Sequence, residues 1–118
     1  MLATSDLRDA FDAAEDRFEQ YRASVSTVID ERPAGELSRA LDAILPDLVF
    51  YEGQACAAGL GLAELGKGEG PAAVAQRLAR GLVEQQATRR SSDFLAGFAA
   101  MLARTNQEIP SRGEGSSR

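Results

Sequence analysis

The sequence predicts an all-α protein, an up-down helical bundle of four to five helices with a long N-terminal helix. Three observations carry this. Apolar residues recur in alternating steps of four and three from Leu7 to Val28. Ala is abundant while strand formers are sparse, which favours helix over sheet. Pro and Gly gather at a few places, around 33–35 and 66–71, and divide the chain into helix-sized pieces.

The first helix is read from Ser5, a good N-cap, with Asp6 and Asp9 where the helix dipole favours negative charge. Its seam runs Leu7, Phe11, Ala14, Phe18, Tyr21, Val25, Val28. This is the spacing of a coiled-coil or bundle interface. Asp9, Asp12, Glu15, Asp16 and Glu19 are placed on the opposite face. The helix should end near 29–32, before Pro33 and Gly35. The seam is too aromatic, and too weak at Ala14, for a dedicated two-stranded zipper. Phe11, Phe18 and Tyr21 need the wide pockets that later helices provide, so the helix is read mainly as the spine of the protein's own core.

A second helix starts near Glu36, with Leu37, Leu41 and Ile44 on one face. Pro46 removes a backbone donor and clashes with the carbonyl four residues back. The preferred expectation is a break at Leu45, with a new helix opening at Pro46. The alternative is one kinked helix, since the spacing continues through Leu48, Tyr51 and Ala55. In the run 53–66, Ala55, Gly59 and Ala63 lie four apart, and small side chains at that spacing admit a close neighbouring backbone. Gly66–Gly70 reads as a loop, and it lacks the spacing of a phosphate-binding loop. Pro71 opens the next helix, with Val74, Leu78 and Leu82 inward. Ser91, Ser92 and Asp93 signal a break. Phe94, Leu95, Phe98, Met101 and Leu102 mark the last helix. Residues 1–106 are expected to form one domain and 107–118 a disordered polar tail.

Composition narrows the function. The 118 residues carry a net charge of −5. Residues 1–52 hold 12 acidic and 5 basic residues, net −7, and residues 53–118 hold 6 acidic and 8 basic, net +2. An acidic half argues against nucleic-acid binding. The absence of histidine removes the usual zinc ligand and general base. One cysteine, Cys56, forms no internal disulfide, and the apolar run 55–63 is too short for a membrane span. A cytoplasmic protein without metal or other cofactor is expected. Twelve of the 13 basic residues are Arg, a bias suited to a G+C-rich bacterial or phage source.

Candidate functional residues are few. Glu52 lies one helical turn before Cys56 and would raise the thiol pKa, so Cys56 reads as a small buried hydrophobe. Arg89 and Arg90 sit at an expected helix C-terminus, where cations are favoured. With Arg77, Arg80 and Arg104 they form the one plausible anion-facing surface. The expected function is a small non-enzymatic protein-interaction module, an adaptor, chaperone or assembly factor, that self-associates as a homodimer. Its candidate partner-binding residues are Ala55, Gly59, Ala63, Arg89 and Arg90, together with the ends of the first helix. The alternatives are an acidic inhibitor that mimics nucleic acid, and a ligand carrier or enzyme using the Glu52–Cys56 region.

Overall fold

The computed structural model describes residues 2–109, with side chains from Ser5 onward. It contains four α-helices among the described residues: α1 Leu2–Glu31, α2 Leu37–Gly66, α3 Pro71–Ala87 and α4 Ser92–Gln107. The upper estimate of five helices is thereby reduced to four. The part of the expected tail from residue 110 onward lies outside the described residues, and α4 itself runs one residue past the expected boundary at 106.

The seam of α1 faces inward as the spacing requires. Leu7, Phe11 and Ala14 are fully buried and Val25 nearly so, while Phe18, Tyr21 and Val28 are half-buried. Ser5 is not the N-cap, because the helix begins three residues earlier at Leu2. The turn from α1 to α2 uses Pro33 and Gly35, the latter at φ +95°, a region open to glycine at little steric cost.

Helix α2 corrects the expected break at Pro46. The proline lies inside one continuous 30-residue helix. The missing donor costs one backbone hydrogen bond. The apolar spacing on both sides of it, Leu37–Leu41–Ile44 and Leu48–Tyr51–Ala55, is in phase, so both halves pack on α1 at once. Tertiary packing of this continuous face outweighs the local defect. Tyr21 on α1 donates to Asp47 just past the proline at 3.1 Å and stacks at a tilt on Tyr51, ring centroids 5.2 Å apart.

The break expected near Ser91 and Ser92 is present. Ser91 caps α4 by accepting from the Phe94 amide at 3.3 Å. The other side of that break is more unusual. Arg89 donates to the Gln86 carbonyl and Arg90 to that of Gln85, the paired bonds of a Schellman motif, with Arg89 itself at φ +58°. The same motif closes α2, where Gly68 holds the left-handed position at φ +87°. An arginine there is strained by its Cβ. Arg89→Gly is therefore expected to raise unfolding free energy by about 0.5–1 kcal/mol, after glycine's greater chain entropy is deducted. A higher urea midpoint at unchanged slope is the reading that checks it.

The core gathers Leu7, Phe11, Ala57, Ala58, Leu65, Val74, Leu78, Phe94, Phe98 and Met101. All of it lies at one end of the α1–α2 hairpin. The reason is length. At about 1.5 Å per residue, α1 and α2 each extend about 45 Å, whereas α3 and α4 reach only about 25 Å. Helices α3 and α4 cover the base of the hairpin. The remainder, about residues 20–48, is a two-helix arm, and Val25 is buried within it apart from the main core. The molecule is accordingly elongated, 63 × 28 × 26 Å.

Candidate functional site

Small residues let α2 and α4 cross with backbones in contact, and the crossing sets the site's geometry. A Cβ at Gly53 would overlap the Phe94 carbonyl oxygen and lie 3.0 Å from the Phe98 amide nitrogen. A Cβ at Gly97 would overlap the Phe50 carbonyl oxygen and lie 3.1 Å from the Gln54 amide nitrogen. One turn pair further along α2, Gly61 makes room for the Phe11 ring. The close-packing stripe is thus Gly53, Ala57 and Gly61. The stripe read from the sequence, Ala55, Gly59 and Ala63, lies on the adjacent face. Ala55 and Gly59 are half-buried, Ala63 is exposed, and a Cβ at Gly59 would meet only Glu15 Oε2, at 3.7 Å.

That adjacent face borders an open groove of about 570 Å³ between α1 and α2. Glu15, Asp16, Phe18 and Glu19 line it from α1, and Glu52, Ala55 and Cys56 from α2. The acids of α1 do not all point away from the protein, as the sequence reading placed them. Glu15, Asp16 and Glu19 line the groove on one side and Glu52 on the other. Burial pushes the Cys56 thiol up, the nearby Arg90 opposes this, and Glu52 adds to the rise. The thiol is half-buried and free. Such a thiol is a poor nucleophile at neutral pH. Alkylation of Cys56 by iodoacetamide is expected to run slower than that of free cysteine, with its pH–rate curve displaced to higher pH. A curve at or below that of free cysteine would contradict this.

The stripes that line the groove repeat along the arm by helical period. On α1, Ile29 lies eleven residues, three helical turns, from Phe18 and occupies the same stripe. It is 50% exposed. On α2, Leu45, Val49, Glu52 and Cys56 follow at steps of four, three and four, and Leu45 is 39% exposed. Asp30 repeats the position of Glu19 three turns on, and Asp42 lies near the outer edge of the α2 stripe. The surface is an apolar floor with acidic rims. Arg22, one turn after Phe18 on the same side of α1, holds its guanidinium 5.8 Å over the Phe18 ring and is bridged to Glu19 at 2.9 Å.

The arginines do not form one surface. Arg77 reaches Glu84 at 3.7 Å and Arg104 pairs with Glu108. Arg90 stacks over the Phe94 ring at 4.3 Å and donates to Gln85 at 3.0 Å, so it helps close α3 onto α4. Arg80 and Arg89 are exposed. Among the described residues no group of three or more acidic or cysteine side chains is placed to hold a metal ion. No helix there is long and apolar enough to cross a membrane.

Sequence reasoning missed the Gly53–Ala57–Gly61 stripe and the exposed pair Ile29 and Leu45. The first had a signal, since that stripe contains two glycines against one in its neighbour. The second had none, because exposure depends on where α3 and α4 stop.

In comparisons with known proteins, no family model, no curated protein and no solved structure matches the chain.

Proposed function

We propose that the protein is a small non-enzymatic protein-interaction module, of adaptor, chaperone or assembly-factor type, that works by helix packing and self-associates. The observation that carries this is the arm. A helix pair buries one stripe on each helix, and a packed domain needs a further layer. The base of the hairpin receives that layer from α3 and α4. The arm has none, and it leaves Ile29 and Leu45 in solvent. Ala55 and Gly59 lie on the α1-facing side of the base, beyond the arm, and Arg89 and Arg90 lie at the α3–α4 turn. Size-exclusion chromatography with light scattering, run beside an apolar-dye titration, tests the reading. A dimer whose arm stays free and still binds dye is expected. A strict monomer that binds no dye overturns it.

A second reading is an acidic inhibitor that presents carboxylates in place of nucleic acid. It is favoured by the gathering of Glu15, Asp16, Glu19 and Glu52 around one groove. Loss of all protein binding on charge reversal of Asp9, Asp12, Asp16 and Glu19 would favour it over helix packing.

A further inference from the structure

We infer that the acidic-rimmed groove running from the Glu15–Glu52 level out along the arm is the docking site of a basic amphipathic helix from a different protein. The inference rests on the interaction reading above and names its surface and partner chemistry.

The floor and the rims impose different demands. Phe18, Ile29, Leu45 and Val49 offer a strip of apolar surface between two helices. This is the shape that accepts a third helix through side chains spaced three and four apart. The strip extends over about 15 residues of each helix, about 22 Å, so about four turns of helix fill it. Glu15, Asp16, Glu19 and Asp30 stand along one side, and Asp42 and Glu52 along the other. Two arginines border this surface and both are engaged: Arg22 lies over Phe18 and is paired with Glu19, and Arg90, near Cys56, stacks on Phe94 and donates to Gln85. A partner helix with an apolar stripe must therefore carry Arg or Lys on its flanks to meet the rims.

The same charges exclude a second copy lying face to face in this groove, so self-association uses another surface. Either orientation of two such faces sets carboxylates against carboxylates, and like charges across an interface are costly. They also exclude an acidic helix.

The test uses the full chain and two synthetic 18-residue amphipathic peptides. Both have Leu at heptad a and d positions. One has Arg and Lys on its flanks and the other Glu. Fluorescence anisotropy is expected to show the basic peptide binding at least about tenfold tighter than the acidic one. Ile29→Gln with Leu45→Gln, both exposed positions, should weaken the basic peptide about tenfold. Glu15→Lys with Glu19→Lys and Glu52→Lys should reverse the preference. Asp6→Lys with Glu69→Lys, both exposed at the base and outside the groove lining, should change it less than about threefold. Equal binding of both peptides overturns the proposal. So does an equal response to the two sets of charge reversals, which would mean net-charge attraction alone. A free dimer that dissociates on Ile29→Gln and Leu45→Gln would also overturn it, by placing a second copy in the groove while leaving the interaction reading intact.

Discussion

Gly97→Ala is expected to lower unfolding free energy by about 3 kcal/mol or more, at the upper end of what overpacking a core costs. The new methyl would occupy the position of the Phe50 carbonyl oxygen, with the Phe50 carbonyl carbon 2.9 Å and the Gln54 amide nitrogen 3.1 Å away. None of these atoms belongs to a flexible side chain. Relief requires α2 and α4 to separate, and separation loosens Phe94, Phe98 and Met101 together. Gly53→Ala, the reciprocal position, should behave alike. Gly59→Ala is the informative control. Its methyl meets only the end of Glu15 at 3.7 Å, so the helix propensity of Ala prevails and stability should rise by up to about 1 kcal/mol. Urea unfolding of the three variants checks the set. Equal losses at Gly59 and Gly97 would refute the assignment of the close-packing stripe.

Phe98→Ala is expected to cost about 3–5 kcal/mol, the range for truncating a fully buried aromatic. Phe98 is completely buried. Its ring tip fills the space beside Gly81, where a Cβ would lie 2.9 Å from Cζ, and its backbone forms one wall of the Gly53 contact. Removing the ring opens a cavity between α2, α3 and α4, and the glycines around it have no side chains with which to refill it. A domain is commonly stable by about 5–15 kcal/mol in total, so this one truncation should lower the midpoint of thermal unfolding by many degrees. Val83→Ala, at a side chain 64% exposed, should leave the midpoint nearly unchanged.

These residues show where the sequence was informative. The seam of α1 is legible because its seven residues from Leu7 to Val28 obey one period, and burial follows that period closely at the base. The cap at Ser91 and the loop at Gly66–Gly70 were legible because their chemistry is local. Pro46 reads as a break because its cost is local while the compensation is not. The in-phase faces on either side bind the same partner helix, and that benefit appears only once α1 is in place. The small-residue stripe was displaced by two residues for a related reason. Two interleaved sets, Gly53–Ala57–Gly61 and Ala55–Gly59–Ala63, have identical spacing. The choice between them is made by Phe11, Phe50 and Gly97, which are remote in sequence. The groove was half-legible. Its acids and Cys56 each stand out in the sequence, but their convergence depends on the axial register of α1 against α2.

The unequal helix lengths also divide the molecule by how it breathes. Amides near Gly53, Phe94 and Phe98 are held by packing on three sides, so their hydrogen exchange must await nearly complete unfolding. Amides along the arm are held by a single helix pair, and they can exchange through partial openings that leave the base intact. A chain lying along the arm would close that gap, making the least protected stretch of the free protein the most responsive reporter of its occupancy.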